Sequence, residues 1–432
     1  MIARNIENEN ESVHDPIKTL GQDVLGRQHL ARTILDRLSE TDAGVLGIYG
    51  GWGTGKSSLL KLLYLLNEEK ARSDIYLQTI DAWKYEATGS LFVPIISSLV
   101  KFAKKEILSD EANKKYLRRM GKLALLGASD IVLRQMGLSV EDVKKLAQDA
   151  RDESAQGVSY LDWEKLVDEV DSTQTAFREL IQVSLNGLER ELGYRPNRIV
   201  FCIDNLDRCT PENAINLLES IKNFLVVKGC AWVFAVDSDV IASYINKKYE
   251  DTAVNGYDYL DKIVSEQYHL SILVSSEDGG RVDDFLQEIT RELPFGPRLD
   301  WKRFAHIPRI WRPRRLIKCA RTLLIANRAT GVSQQLDTIF ALIMLYHTWP
   351  DFYEILSYGS ESHIVGLLAN FGEDGSAWMQ NPKISINPKF ITDADLKHFI
   401  QHAFLQQSET DPKSFVRELI SCTNDLRQAG LP

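Results

Sequence analysis

Short apolar runs, each ending in polar or glycine-rich residues, are the main pattern along this chain. Three runs, at residues 45–49, 199–204 and 232–236, have the length and composition of buried strands. Residues 75–81 alternate between apolar and polar side chains, which is typical of a further core strand. Between these runs, residues 211–225 place apolar side chains at helical spacing. The pattern therefore predicts core strands interspersed with amphipathic helices.

The first of these strands leads directly into a match to G-x-x-x-x-G-K-[ST], the signature of a P-loop. Its glycines let backbone N–H groups curl around phosphates at the N-terminus of the following helix. Lys56 would meet the outer phosphates as a point charge, and the Ser57 hydroxyl would reach the accompanying Mg²⁺. The order of strand, glycine-rich loop and helix predicts a site for ATP with Mg²⁺. The predicted nucleotide-binding residues are Gly50, Gly51, Trp52, Gly53, Thr54, Gly55, Lys56, Ser57 and Ser58.

The run at 199–204 supplies the second half of such a site. It ends at Asp204, the candidate Walker B acid, which would hold the metal together with Ser57. The next position, where many P-loop enzymes keep an acid to activate water, carries Asn205. An amide orients water but cannot accept its proton, whereas Asp207 can, so we expect Asp207 to be the base and Asn205 to orient the water. The alternative is that Asp207 and Arg208 cap the next helix.

Residues Asp204 to Arg208 are similar to the Walker B region of the KAP family of P-loop NTPases, which reads Asp, a polar or acidic residue, Leu or Ile, Asp and Arg. Other segments resemble that family in order, so that the resemblance spans about residues 20–325. They are Asp81-Ala82-Trp83-Lys84-Tyr85, Phe234-Ala235-Val236-Asp237, Tyr259-Leu260-Asp261-Lys262-Ile263 and Pro313-Arg314-Arg315-Leu316-Ile317-Lys318. The resemblance implies an α/β P-loop NTPase fold of the additional-strand type. Such a fold has a parallel sheet flanked by helices, with a strand between the P-loop and Walker B strands, and a helical C-terminal unit.

Asp237, at the end of the strand 232–236, is the candidate sensor because a polar residue there approaches the γ-phosphate or the attacking water. The alternative is that it caps the following helix, together with Ser238 and Asp239. Trp83 begins a loop after the strand 75–81. It would either shield the phosphates from water or pack in the core.

The segment 301–321 is the most basic stretch of an acidic protein. The resemblance implies that Arg314 opens a helix from which it reaches the phosphates as a sensor, or a neighbouring copy's site as a finger. Arg315 is the second choice for this role. Arg208 is another residue that could stabilise the negative charge that develops during phosphoryl transfer. Since Trp301 and Trp311 interleave with the basic residues, single-stranded nucleic acid is an alternative partner of this segment.

Composition narrows the class of protein. The chain has 432 residues, of which 44% are apolar and 26% charged, as in a typical globular protein with a core domain and a smaller helical unit. Its formal net charge of −9 argues against general coating of nucleic acid. The five cysteines show no C-x-x-C pairing, and no window has the length and apolarity of a signal peptide or a membrane span. We therefore expect a cytoplasmic protein that does not enter membranes.

The sequence predicts five regions. These are a flexible leader (1–20), the first part of the NTPase core (21–98), a charged helical insertion (99–196), the second part of the core (197–298) and a C-terminal helical unit (299–432). The insertion is basic in its first half and acidic in its second, which suggests complementary surfaces within it or between copies; solvated helix faces are the alternative.

The leading interpretation is an ATPase that couples Mg²⁺-dependent ATP binding and hydrolysis to conformational change or assembly, in a homo-oligomer. The resemblance implies a setting in bacterial defence against phage, with a partner protein of that system. One alternative is an ATP-binding scaffold or switch with little hydrolysis, since the acid next to Asp204 is missing. Another is a nucleic-acid-dependent motor or loader that uses the basic segment.

Overall fold

The structure, a computed structural model, describes the greater part of the chain. The described residues are 16–23, 25–40, 44–69, 74–88, 91–109, 163–250, 254–270, 312–330, 335–372, 376–406 and 411–430. They fall into two compact units. One comprises Arg27–Gly51 and Lys56–Leu270, and the other comprises Met1–Gly26, Trp52–Gly55 and Ser271–Pro432.

The first unit is built on a parallel sheet. Its five described strands are β1 (Val45–Tyr49), β2 (Ile75–Asp81), β3 (Arg198–Asp204), β4 (Cys230–Val236) and β5 (Glu266–His269). They lie in the order β2-β3-β4-β1-β5, and every pairing is parallel. The strand β4 thus separates the P-loop strand from the Walker B strand, which confirms the predicted additional-strand fold.

The helices of the first unit lie before and between the strands in the chain. They are α1 (Gln28–Ser39), α2 (Lys56–Glu69), α3 (Ala82–Tyr85), α4 (Phe92–Ser109), α5 (Trp163–Leu192), α6 (Pro211–Ser220), α7 (Ser238–Lys248) and α8 (Gly256–Ile263). Helix α6 continues as a π-helical turn, Ile221–Leu225. Most of the charged residues predicted for the insertion, between residues 110 and 162, lie outside the described residues.

All seven residues of both β3 and β4 are buried, because β4 and the central part of β3, Ile199–Ile203, are continuous apolar runs. Trp232 of β4 is at the centre of this core, with its ring stacked 4.8 Å from Phe201 and 6.3 Å from Phe177. Its indole N–H donates to the carbonyl of Leu225 at 3.0 Å, so the one polar group of this buried ring is satisfied. This core fixes the carboxyl ends of the strands, where the candidate site lies.

The second unit is helical in its described part. Its helices are α9 (Pro313–Thr330), α10 (Leu336–Thr348), α11 (Pro350–Tyr358), α12 (Glu361–Leu368), α13 (Pro388–Thr392), α14 (Ala394–Ile400) and α15 (Pro412–Gln428). The fully buried Phe352 packs edge-on against Phe371 and Phe390. Asp393 receives the Trp349 indole N–H at 2.9 Å and also caps α14 through the N–H of Leu396.

None of the helices in the described residues is long and apolar enough to cross a membrane.

Candidate nucleotide-binding site

The P-loop connects β1 to α2, as predicted. Its first residue, Gly50, donates its N–H to the carbonyl of Val236 at 3.2 Å, so the loop starts against the end of β4. Gly53 and Gly55 have φ angles of +81° and +92°, in the left-handed region that favours glycine. These two conformations explain why the loop needs glycine at both positions.

Lys56, the first residue of α2, lies at the centre of the site. Its Nζ donates to the carbonyls of Gly50 and Gly51, at 2.6 and 3.3 Å. It lies 3.8 Å from a carboxylate oxygen of Asp207. Burial lowers the pKa of Lys56, and the negative charges of Asp207, Asp237 and Asp204 oppose that shift. Three of the predicted acids therefore act electrostatically on the P-loop lysine.

Asp204, at the end of β3, contacts the candidate metal-binding hydroxyl of Ser57. It is hydrogen-bonded to the Ser57 side chain, and its Oδ1 accepts the N–H of Asn205 at 2.9 Å. Burial raises the pKa of Asp204, and these two hydrogen bonds oppose the rise. A carboxylate and a hydroxyl in contact are hard oxygen donors of the kind that Mg²⁺ prefers. The pair therefore fits the metal that a P-loop site uses.

Asn205 has a left-handed backbone, with φ of +59°, a conformation that Asn adopts more readily than most residues. Its amide donates to Oδ1 of Asp81 at 3.0 Å. Asp81 ends β2 directly beside Asp204, its partner in the parallel register. Sequence reasoning gave no role to Asp81. Its place at the end of a predicted core strand was the signal that could have found it.

Asp207 lies in a short 3₁₀ turn, Leu206–Arg208, and is buried there beside Lys56. The hydroxyl of Tyr244 donates to the backbone carbonyl of Asp207 at 3.2 Å. The guanidinium of Arg208 lies 5.3 Å from the ring centre of Trp83. That ring is 54% exposed, so the expectation that Trp83 packs in the core is wrong. Its neighbour is a charged side chain at the surface.

Asp237 caps α7, because its carboxylate accepts the N–H of Asp239 at 3.2 Å. Burial raises the pKa of Asp237, and the charge of Lys56 is the largest influence that opposes the rise. Asp237 is therefore a helix cap, one of its two predicted roles, and its charge also acts on Lys56; its role as a sensor stays a prediction.

The carboxylate of Glu86 joins the segments that follow β2 and β3. Oε1 of Glu86 accepts the backbone N–H of Thr210 at 2.9 Å and the amide of Asn213 at 3.0 Å. The hydrogen bond from Asn205 to Asp81 and the contact of Arg208 with Trp83 also connect these two segments. Thr210 is the N-cap residue of α6, but its side chain makes no capping hydrogen bond.

Arg314, in the first turn of α9, meets the P-loop residue Gly53. Its N–H donates to the carbonyl of Gly53 at 3.4 Å, and a Cβ added to Gly53 would lie 3.0 Å from the Arg314 Cβ. The rest of the predicted basic segment, residues 301–311, including both tryptophans, lies outside the described residues.

Three comparisons show which known proteins this chain is similar to. The model of the KAP family P-loop domain matches residues 27–288. An uncharacterized protein of Methanocaldococcus jannaschii is 27% identical over 164 residues, which cover 34% of this chain and 84% of that protein. The solved structure of the Aeropyrum pernix ORC2 protein, in ADPNP and ADP complexes, aligns over 98% of this chain and 97% of that chain, with 13% identity and a TM-score of 0.34.

Proposed function

Because this chain belongs to the KAP family of P-loop domains, we propose that it binds ATP with Mg²⁺ and hydrolyses it, and that turnover drives a conformational or assembly change. The observation that carries this proposal is the convergence of Lys56, Ser57 and Asp204 at the carboxyl end of the sheet. In open parallel sheets, ligands bind at that end.

Each residue has a distinct part in this proposal. The P-loop N–H groups surround the phosphates, and Lys56 exchanges its bonds to the Gly50 and Gly51 carbonyls for the outer phosphates. Ser57 and Asp204 hold Mg²⁺, which when bound neutralises phosphate charge. Asp237 senses the γ-phosphate, and Arg314 and Arg208 add positive charge to the transition state. The sequence predicts Asp207 as the base, and Asp81 is a second candidate for that role.

A nucleotide titration tests binding. Replacing Lys56 by Ala removes charge-assisted hydrogen bonds worth about 1.5–3 kcal/mol, which corresponds to a roughly 10- to 150-fold weaker Kd. Lys61→Ala, on the same helix and stacked on Tyr64, is the matched control that should keep the affinity of the wild type. Unchanged affinity in Lys56→Ala would contradict the site.

A second candidate function is an ATP-dependent switch with little hydrolysis. It is favoured by Asn205, since the residue next to the Walker B acid cannot take a proton. Steady-state release of phosphate decides between the two. Tight ATP binding without turnover would establish the switch, whereas Mg²⁺-dependent turnover that is lost in Lys56→Ala would establish the hydrolase.

We also propose that copies of the chain associate and that Arg314 or Arg208 completes a neighbour's site. Light scattering with and without ATP measures the association. Mixing Arg314→Ala with Lys56→Ala chains then tests the shared site, because activity regained on mixing requires an arginine from another chain. A monomer without rescue would place Arg314 in its own chain, where its backbone already contacts Gly53.

The proposed biological setting, bacterial defence against phage with a partner protein, comes from the family resemblance alone. Plaque counts on cells that express the wild type or Lys56→Ala together with the neighbouring genes test it. Equal plaque counts would contradict it.

A further inference from the structure

The loops after β2 and β3 contain an acid and an amide in contact. Asn205 stands where an acid would follow Asp204, and its amide donates to Asp81 at 3.0 Å. Asp81 and Asp204 are partners in the register of β2 and β3, so both acids end their strands at the same edge of the sheet. The carboxylate missing from the Walker B loop is thus present one strand away.

Asp81 is free to act on water. The hydrogen bond from Asn205 engages only Oδ1, and the side chain makes no capping bond to α3, although it holds the N-cap position. The Asp81 side chain is partly exposed, whereas Asp207 is buried and faces the ammonium of Lys56. A water can therefore reach the carboxylate of Asp81 more readily than the buried carboxylate of Asp207, which lies against Lys56.

Asp81 is also held in place. Glu86, five residues further along, accepts hydrogen bonds from Thr210 and Asn213, at the start of α6. Trp83, two residues after Asp81, lies beside Arg208. These contacts join the segments that follow Asp81 and Asn205 in the chain. A side chain that is fixed before the reaction loses little free energy when it engages the reacting water.

The backbone at Asn205 fits this arrangement. Its left-handed φ of +59° is costly for most side chains but is common for Asn and Asp. The backbone at position 205 therefore accommodates either Asn or Asp. This property makes an exchange of the two side chains a fair experiment.

We propose, on the basis of the hydrolase proposed above, that Asp81 is the catalytic carboxylate and that Asn205 positions it. The oxygen of a water attacks the γ-phosphorus of ATP and forms a new P–O bond. The bond from that phosphorus to the bridging oxygen breaks, and its electron pair leaves with ADP. The proton of the water passes to the carboxylate of Asp81, which later returns it to solvent, so that the products are ADP and phosphate.

The experiment compares single-turnover rates and ATP affinities of four chains. They are the wild type, Asp81→Asn, Asn205→Asp and the exchanged double variant Asp81→Asn/Asn205→Asp. We expect Asp81→Asn to lower the rate by about a hundredfold or more while the Kd for ATP changes by less than about threefold. The exchanged variant again has one carboxylate and one amide in contact. Its rate should therefore be at least about tenfold higher than that of Asp81→Asn.

Asp258→Asn is the matched control, because Asp258 is an exposed acid in the first turn of α8 and has no part in the proposed site. Thermal unfolding of all variants shows that each is folded. Full activity of Asp81→Asn, or an exchanged variant no faster than Asp81→Asn, would overturn the role of Asp81 and leave the hydrolase intact. A wild type that binds ATP without turnover would refute the hydrolase itself and this role with it.

Discussion

The ammonium of Lys56 and the carboxylate of Asp207 lie 3.8 Å apart, with side-chain exposures of 9% and 3%. Both groups are therefore largely removed from water, and Asp207 is the largest of the negative charges that act on Lys56. Removing one partner of a buried pair leaves the other without compensation, which costs more than an exposed pair contributes. The charged state of the P-loop lysine thus depends on Asp207, in the turn after β3.

Replacing Asp207 by Asn should weaken ATP binding at alkaline pH more than at neutral pH. Burial lowers the pKa of Lys56, and Asp207 is the largest charge that opposes this shift. Without Asp207 that pKa falls further, so the ammonium is lost, and ATP affinity with it, at a lower pH than in the wild type. Titrations of ATP from about pH 7 to 10 measure the effect. A rate loss of about a hundredfold at saturating ATP, with unchanged affinity, would instead make Asp207 the base.

Asp204→Asn should raise the melting temperature of the nucleotide-free protein while it abolishes Mg²⁺-dependent turnover. Burial raises the pKa of Asp204, so the folded state disfavours the ionised carboxyl at every pH above its normal range. This penalty is present at neutral pH, and it vanishes when Asn replaces the ionised group. The Asn oxygen can still accept the N–H of Asn205. Calorimetry in EDTA checks the prediction, and a lower melting temperature would contradict it.

Gly53→Ala should destabilise the protein more than Gly26→Ala. Both glycines have positive φ angles, +81° and +61°, so both substitutions carry a strain of about 1–2 kcal/mol. An added Cβ at Gly26 meets nothing within 4 Å, whereas at Gly53 it would lie 3.0 Å from the Arg314 Cβ. Urea unfolding of the two variants isolates the contact with Arg314. Equal losses of stability would show that this contact yields without cost.

The protein should lose stability as the pH falls from about 7 towards 4, partly through His347. Burial, with the charges of Lys318 and Arg315, lowers the pKa of His347 to about 4. The unfolded chain takes up that proton near pH 6.5, so protonation favours unfolding between the two values. His347→Gln should flatten this dependence in urea unfolding at pH 7 and 5. His363→Gln, at an exposed position, is the control that should leave it unchanged.

The sequence predicted the strands well because their signal is local. The run Val45–Tyr49 is a strand with the predicted bounds, and the runs ending at Asp204 and Val236 differ from the structure only at their starts. Each run is apolar and ends in a distinct loop, so neighbouring residues alone determine it. The position of β4 between β1 and β3 came from the family resemblance and is confirmed.

Contacts between distant residues could not be predicted in this way. Asp81 and Asn205 meet only because β2 and β3 pair in a particular register, and nothing near either residue specifies that register. The surroundings of Trp83 could not be predicted either, because its neighbour Arg208 is distant in sequence. The roles of Asp207, Asp237 and the arginines, and the boundaries of the five regions, remain predictions.

The position of β1 in the sheet has a consequence for how the chain is made. Val45 pairs with Trp232 and Leu46 with Glu266, so β1 leaves the ribosome long before either strand beside it in the described sheet. Contacts this distant in sequence form late in folding. The first P-loop hydrogen bond, from Gly50 to Val236, must wait for β4 as well. A nascent chain that ends before Cys230 should therefore carry the whole P-loop sequence and still not bind ATP, so that the onset of nucleotide binding would mark completion of the sheet.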